Sequence, residues 1–142
     1  MRAEVFLDTA YAIALSSPND LFHRRAVQLA DELKSVGTRL VTTRAILLEI
    51  GNALSKQRYR RAAVLLLDSL EIDPRVEIIP LSEPLYARAS KLYRERPDKE
   101  WTLTDCMSFI VRVEDREISE ALTTDEHFHQ AGFHVLMRRE QQ

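Results

Sequence analysis

Four residues near the start of the chain, Val5-Phe6-Leu7-Asp8, decide the predicted fold. Three consecutive apolar side chains between two acids are typical of a short strand that is buried on both faces, as in parallel sheets. Asp8 follows this strand directly, and the ligands of open α/β sheets bind beyond the carboxyl ends of the strands. Asp8 therefore either caps a helix that begins at Thr9 or belongs to a functional site.

Short apolar runs alternate with helical periodicity along the rest of the chain. Gly37 is a helix stop signal, and Asp20 and Thr43 are helix start signals. We predict strands at residues 5–7, 40–42, 76–79, 118–122 and 134–136, and helices at residues 9–15, 21–36, 43–57, 60–70, 82–93, 102–113 and from 125. This alternation predicts a three-layer α/β/α sandwich with a mostly parallel, about five-stranded sheet.

Composition limits the classes of protein that fit. With 142 residues and 16.4 kDa, the chain is expected to form a single domain over residues 1–142. A net charge of −2 and a pI of about 6.1 exclude nucleic-acid binding through bulk charge. The lone Cys106 excludes an internal disulfide and favours a cytoplasmic protein. The N-terminal apolar run is too short for a signal peptide, and no stretch approaches the ~20 apolar residues of a membrane span.

Three further acids also have two interpretations each. Asp125 follows the predicted fourth strand and either caps the next helix or faces the ligand-binding edge of the sheet. Asp105 comes three residues after Thr102, as in a capping box, but a helix N-terminus would also direct it toward that edge. Glu49 lies among apolar neighbours in a predicted helix, so its carboxylate is either at the surface, paired or metal-bound.

Metal binding would explain four carboxylates in one place. Acids that share a pocket repel each other and raise their own pKa values. Hard divalent cations relieve this repulsion, and Mg²⁺ and Mn²⁺ prefer oxygen ligands. Such a metal can activate water, bind a phosphate oxygen and stabilise a leaving oxygen. The four acids therefore fit a metal site if the fold brings them together.

In order and spacing, these acids and their neighbours resemble the PIN domain family. The matching segments cover nearly the whole chain. They are Phe6-Leu7-Asp8-Thr9, Leu48-Glu49-Ile50-Gly51-Asn52-Ala53-Leu54, Leu103-Thr104-Asp105-Cys106-Met107-Ser108-Phe109, Leu122-Thr123-Thr124-Asp125-Glu126-His127-Phe128 and the closing Gly132-Phe133-x-Val135-Leu136. The resemblance implies an α/β/α sandwich and a metal-dependent ribonuclease site, with Asp8, Glu49 and Asp105 as core acids and Asp125 as the fourth.

The resemblance also implies the chemistry and the partners. The three aspartates would hold Mg²⁺ or Mn²⁺, with Glu49 binding it directly or through water, and one or two ions both fit. Thr9 and Thr104 match hydroxyl positions beside the site. The implied reaction is attack of water on a phosphodiester of single-stranded RNA. A chain of this length resembles the toxin of a VapBC-type toxin–antitoxin pair, which implies a homodimer inhibited by a small DNA-binding antitoxin.

A basic cluster lies between two predicted helices. Its members are Lys56, Arg58, Tyr59, Arg60 and Arg61. These side chains either contact RNA phosphates or form a solvated helix junction.

The remaining residues of note have mainly structural interpretations. His127, His129 and His134 lack the cysteine partners of a zinc site and are expected at the surface or in packing, although His127 is close enough to Asp125 to touch the site. Trp101 and Phe109 are expected in the core or anchoring a loop. A set of apolar residues exceeds what one core face needs and could contact another chain: Leu21, Phe22, Leu65, Leu66 and Leu67.

Other functions make different demands on the sequence. A haloacid-dehalogenase-type phosphotransferase needs a second Asp where Ala10 stands. A receiver domain needs paired acids near the first strand and a phosphorylatable Asp at the end of a central strand, whereas here Glu4 precedes the first strand and Glu49 lies within a predicted helix. A catalytically silent PIN-like binding module would lose acids that this chain keeps. A PIN nuclease for RNA maturation or decay, outside any toxin pair, fits the sequence as well as a toxin does.

Overall fold

The computed structural model describes residues 4–114 and 116–138, without the side chains of residues 112–114. These residues form a five-stranded sheet and seven helices. The strands are β1 (Glu4–Leu7), β2 (Arg39–Thr43), β3 (Val76–Ile79), β4 (Glu120–Leu122) and β5 (His134–Val135). The helices are α1 (Thr9–Ser16), α2 (His23–Ser35), α3 (Arg44–Ala53), α4 (Gln57–Ile72), α5 (Glu83–Glu95), α6 (Leu103–Glu114) and α7 (Glu126–Gln130).

All pairs of neighbouring strands in this sheet are parallel, so the predicted α/β sandwich is confirmed. The strand order is β3-β2-β1-β4-β5. From β1 the chain moves outward through β2 and β3, and it then crosses back to place β4 on the other side of β1. The order therefore reverses between β1 and β4, and ligands of open α/β sheets bind at such a switch point.

The carboxyl ends of β1 and β4 lie side by side at this switch point. Leu7 pairs with Leu122, and the N–H of Asp8 donates to the carbonyl of Leu122 at 3.2 Å. Val5 and Phe6 are fully buried in β1, as the apolar run predicted. The residues that follow the two strands therefore emerge next to each other.

Backbone signals in the sequence end and begin several helices. After α2, Gly37 has a φ of +72°, in the left-handed region that favours glycine. Its N–H donates to the carbonyl of Lys34 at 3.2 Å, and the N–H of Thr38 donates to that of Leu33 at 3.1 Å. These two bonds form a Schellman motif. Before α3, the hydroxyl of Thr43 accepts the capping bond that the sequence predicted.

Some predicted boundaries are wrong. Asp20 does not cap a helix: its Oδ1 accepts the N–H of Phe22 at 2.8 Å, which closes a turn before α2 begins at His23. The break between α3 and α4 lies at residues 54–56, not at residues 58–59, because Ser55 bonds back to the carbonyl of Gly51 and the next helix begins at Gln57.

A cluster of aromatic rings forms the core beside the switch point. Phe128 of α7 lies 5.8 Å from Phe6 of β1 and 5.1 Å from Phe109 of α6, measured between ring centroids. Trp101 packs edge-on against Phe109 at 5.0 Å, and Phe133 packs against Phe128 at 5.3 Å. Trp101 and Phe109 are buried, as predicted. The cluster fixes β1, α6 and α7 relative to one another.

Several large apolar side chains remain at the surface. Leu21, Ile72 and Leu65 are 89%, 77% and 64% exposed, whereas Leu66 is buried and Phe22 packs partly against the core. None of the helices within the described ranges is long and apolar enough to cross a membrane.

Candidate active site

The four predicted acids line one open cleft beyond the carboxyl ends of β1 and β4. Asp8 follows β1, Glu49 belongs to α3, Asp105 belongs to α6, and Asp125 precedes α7. The residues that line the cleft are Asp8, Thr9, Ala10, Glu49, Thr102, Asp105, Thr124, Asp125, Glu126 and His127. Among the described residues that line it, five are acidic and none is Lys or Arg.

Asp8 is buried, with 7% of its surface exposed. It precedes α1 but makes no capping hydrogen bond, so the helix-cap interpretation is wrong. Instead the hydroxyl of Thr123 donates to its Oδ2 at 2.7 Å. Burial raises the pKa of Asp8 from 3.8 to about 7, the charges of Glu49 and Asp105 add to the increase, and the Thr123 hydrogen bond opposes it. No described Lys or Arg forms an ion pair with this carboxylate.

Glu49 is half-buried, so the surface interpretation of this residue is only partly right. The hydroxyl of Thr9, at the start of α1, donates to Glu49 Oε1 at 2.5 Å. A short bond of this kind to a carboxylate is charge-assisted. It fixes the Glu49 carboxylate of α3 against the end of β1. Thr9 therefore lies at the site, where the sequence placed it.

Asp105 both takes part in a capping box and lines the cleft. Its Oδ2 accepts the N–H of Thr102 at 3.0 Å, and its own N–H donates to the Thr102 hydroxyl at 3.0 Å. This is the predicted capping box of α6. The same side chain is buried in the wall of the cleft.

Asp125 is likewise a helix cap that faces the cleft. Its Oδ1 accepts the N–H of His127 at 2.9 Å, which caps α7. Its own N–H donates to the hydroxyl of Thr123 at 3.0 Å. Thr123 therefore links Asp125 to Asp8 across the ends of β4 and β1.

His127 belongs to the site more directly than the sequence indicated. Its Nδ1 lies 2.8 Å from Asp105 Oδ2 and 3.6 Å from Asp125 Oδ1. Of the two expectations for His127, the geometry agrees with contact to the site and not with a purely structural role, whereas His129 and His134 are exposed as expected. Because a histidine next to an acid is common, the sequence spacing alone gave a weak signal.

Other residues differ from the sequence-based expectation in their location. Thr104 is not among the residues that line the cleft, and its carbonyl accepts the hydroxyl of Ser108. Thr123 and Glu126 were not singled out from the sequence, although both are polar residues just after β4. The basic cluster, in contrast, lies at the α3–α4 junction as predicted, outside the residues that line the cleft.

The donor atoms of the cleft fit a divalent metal ion. Oxygen and nitrogen atoms from Asp105, Asp125 and His127 all lie within 4.8 Å of one another. Asp8 and Glu49 line the same cleft, and their negative charges have no basic partner among the described residues that line it. Buried or half-buried carboxylates without a positively charged partner are costly unless a cation binds among them. The predicted metal-binding character of this cluster is thus consistent with its geometry.

A family comparison agrees with this fold and with the arrangement of acids. The model of the PIN domain family matches residues 5–134, and the chain therefore belongs to the PIN domain family. The resemblance drawn from the four acidic motifs is confirmed, and the prediction of a nuclease is confirmed at the level of this family. The comparison with curated proteins gives no match.

Two solved structures are similar to this chain along almost its full length. VapC20 from Mycobacterium tuberculosis, a sarcin–ricin loop cleaving toxin, has 24% sequence identity and a TM-score of 0.78, over 91% of this chain and 95% of that one. FitAcB from Neisseria gonorrhoeae has 19% identity and a TM-score of 0.66, over 93% of this chain and 96% of that one. At these identities the likeness concerns the fold.

Proposed function

We propose that this protein is a metal-dependent endoribonuclease that hydrolyses phosphodiester bonds of single-stranded RNA. The observation that carries the proposal is the convergence of Asp8, Glu49, Asp105 and Asp125 on one cleft at the switch point of the sheet. Membership of the PIN domain family supports it. The four acids are the proposed catalytic and metal-binding residues.

The side chains of the cleft are held in place before any substrate binds. The hydroxyl of Thr9 orients Glu49, and the hydroxyl of Thr123 orients Asp8. A bound divalent cation would supply Lewis-acid activation of water and stabilisation of the leaving oxygen. Asp8, Asp105 and Asp125 would hold it, with Glu49 binding directly or through water. Positioning by fixed hydrogen bonds is the contribution of the protein itself.

Mg²⁺ or Mn²⁺ is the proposed ion. Carboxylate oxygens dominate the cleft, and these two ions prefer such ligands. The ion also explains how a chain with a net charge of −2 can bind RNA, because the phosphate would meet the cation instead of a wall of carboxylates.

The test of the proposed function is cleavage of tRNA, rRNA and mRNA pools by chelator-treated protein, with and without added Mg²⁺ or Mn²⁺. We expect cleavage only after metal is added. Asp8→Asn should lower the rate more than ~100-fold, because outer-shell partners alone typically account for ~10–100-fold. Asp68→Asn, an exposed acid on α4, is the matched control and should cut at the wild-type rate. Equal rates for wild type and Asp8→Asn would show that another site or a contaminant cuts the RNA.

The basic cluster is proposed as a contact for RNA phosphates outside the cleft. Its side chains are exposed, although Arg60 bonds to the carbonyl of Ser55 and the Arg58 guanidinium lies 4.9 Å from the ring of Tyr59. Each phosphate contact adds about 0.7 to the slope of the logarithm of the binding constant against the logarithm of the salt concentration for a single strand. Charge reversal of Arg60 and Arg61, with Lys56 and Arg58 left intact, should therefore weaken binding and reduce that dependence. An unchanged salt dependence would assign the cluster to the helix junction alone.

We further propose that the nuclease is a toxin controlled by a cognate antitoxin protein and that it forms a homodimer. The fold likeness to a toxin of similar length supports this role, and the exposed Leu21, Leu65 and Ile72 are available for protein contacts. Expression of wild type, but not of Asp8→Asn, should then arrest growth, and co-expression of the neighbouring small reading frame should relieve the arrest. Light scattering should give twice 16.4 kDa. Growth without arrest at full RNA-cleaving activity would instead favour a nuclease of RNA maturation or decay.

A further inference from the structure

His127 makes a side-chain contact that the four-acid description of the site does not include. It lies at the start of α7, two residues after Asp125, and 27% of its side chain is exposed. Its Nδ1 is 2.8 Å from Oδ2 of Asp105, a residue of α6 that is 22 positions away in the sequence. The contact therefore joins the two helices that present acids to the cleft.

The two oxygens of Asp105 differ in their hydrogen bonding. Oδ2 accepts the N–H of Thr102 at 3.0 Å and lies 2.8 Å from His127 Nδ1. Within the described residues, the side-chain hydrogen bonds to this carboxylate fall on Oδ2 and not on Oδ1. Oδ1 is then the oxygen that can bind a cation without first losing a hydrogen bond to the protein. The Thr102 bond holds Oδ2 from one side, and the imidazole holds it from α7.

We propose that His127 is a positioning residue, whose Nδ1–H donates to Asp105 Oδ2 and thereby keeps Oδ1 available for the divalent cation. This inference rests on the proposed metal-dependent function. Carboxylates that bind metal are commonly held by hydrogen bonds from a second layer of residues, and the loss of such a partner weakens metal binding. His127 contributes in this way without touching the metal itself.

The backbone of α7 places the imidazole for this role. The N–H of His127 donates to Asp125 Oδ1 at 2.9 Å, so the residue that carries the imidazole is also the one whose backbone is bound by the helix cap. Phe128, the next residue, is fully buried in the aromatic cluster and anchors the helix. His127 is thus fixed between a cap and an anchor, which limits the entropy lost when it holds Asp105.

The experiment measures Mn²⁺ affinity by electron paramagnetic resonance in wild type and three variants. His127→Leu removes the donor. His127→Asn keeps an amide N–H near the place of Nδ1, whereas His127→Gln carries its amide nearer the place of Nε2. We expect His127→Leu and His127→Gln to bind Mn²⁺ at least ~10-fold more weakly, and His127→Asn to retain most of the wild-type affinity. His129→Leu, which changes an exposed histidine on the same helix, is the matched control and should bind like wild type.

Each outcome bears on the inference. Equal Mn²⁺ affinity in wild type and His127→Leu would overturn it and leave the proposed nuclease function intact. A wild type that neither binds Mn²⁺ nor cuts RNA would overturn the proposed function and the inference with it. Pulsed resonance spectra of bound Mn²⁺ should show no nitrogen directly bound to the ion. A directly bound imidazole nitrogen, lost in His127→Leu, would make His127 a metal ligand and contradict the positioning role.

Discussion

The Asp8→Asn protein, kept free of metal by a chelator, is expected to be more stable than the wild type at pH 8 by about 1–3 kcal/mol. Burial raises the pKa of Asp8 from 3.8 to about 7, which corresponds to a cost of roughly 4 kcal/mol for holding the ionised carboxylate in the fold. Asn carries no charge and can still accept the Thr123 hydroxyl. Its amide N–H groups lose their hydrogen bonds to water, however, and this cost of ~1–3 kcal/mol offsets part of the gain.

The sign of the pH dependence follows from the direction of the pKa change. Between pH 3.8 and about 7, the folded state holds a proton on Asp8 that the unfolded state has released. Stability from this group therefore rises as the pH falls through about 7, and the cost is fully present above it. Between pH 8 and pH 5.5 the wild type should gain about 2 kcal/mol that Asp8→Asn does not gain.

Urea unfolding in the presence of chelator, at pH 8 and pH 5.5, measures both quantities. Other titrating groups are common to the two proteins and cancel in the difference. Asp68→Asn, with an exposed acid replaced, should follow the wild type at both pH values. If Asp8→Asn is less stable than the wild type at pH 8, the prediction is wrong, and other groups of the folded protein compensate the charge of the buried carboxylate. Added Mn²⁺ should raise the stability of the wild type more than that of Asp8→Asn, since ligands stabilise the state that binds them.

Phe128→Ala is expected to lower the free energy of unfolding by about 3–5 kcal/mol. The ring is fully buried and packs against Phe6, Phe109 and Phe133 at centroid distances of 5.8, 5.1 and 5.3 Å. Its removal loses apolar burial, leaves a cavity and breaks several aromatic contacts. Helix α7 has five residues, so it is too short to hold itself in place without this anchor.

Chemical unfolding of Phe128→Ala against the wild type checks this expectation. Tyr93→Ala, which removes an aromatic side chain that is 48% exposed, is the matched control and should change stability by less than ~1 kcal/mol. Mn²⁺ affinity should also fall in Phe128→Ala under conditions where it remains folded, because Asp125 and His127 are carried by α7. A loss below ~1.5 kcal/mol would mean that the cluster collapses around the gap, as cores sometimes do.

The alternation of strands and helices could be predicted because burial leaves a pattern in the sequence. The third strand, Val76–Ile79, was predicted with its observed bounds. The fourth was predicted to begin at Ile118 but begins at Glu120, although Ile118 is buried. An apolar residue predicts that a position is buried, but it does not predict that the position pairs with a neighbouring strand. β4 pairs with β5 from Glu120 onward and with β1 from Ala121 onward. The α3–α4 break was misplaced because no Gly or Pro marks it.

The acids of the site were predictable in order, but their supporting contacts were not. Asp8, Glu49, Asp105 and Asp125 belong to short motifs, and it is their order along the chain that can be recognised. Thr123 reaches Asp8 across 115 sequence positions, and His127 reaches Asp105 across 22. Pairs this far apart become neighbours only through the strand order, so a single sequence gives no sign of them.

The helix-capping contacts of the site determine which variant should be used to capture an RNA complex. Asp125 caps α7, so replacing it with Ala costs about 0.5–2 kcal/mol besides any loss of chemistry, and replacing Asp105 with Ala removes the carboxylate bond of the α6 capping box. Glu49 caps no helix within the described ranges, and its carboxylate accepts the Thr9 hydroxyl, a hydrogen bond that the amide oxygen of Gln can also accept. Glu49→Gln is therefore the variant that should slow cleavage while keeping the helices intact, which makes it the form to crystallise with an uncut RNA.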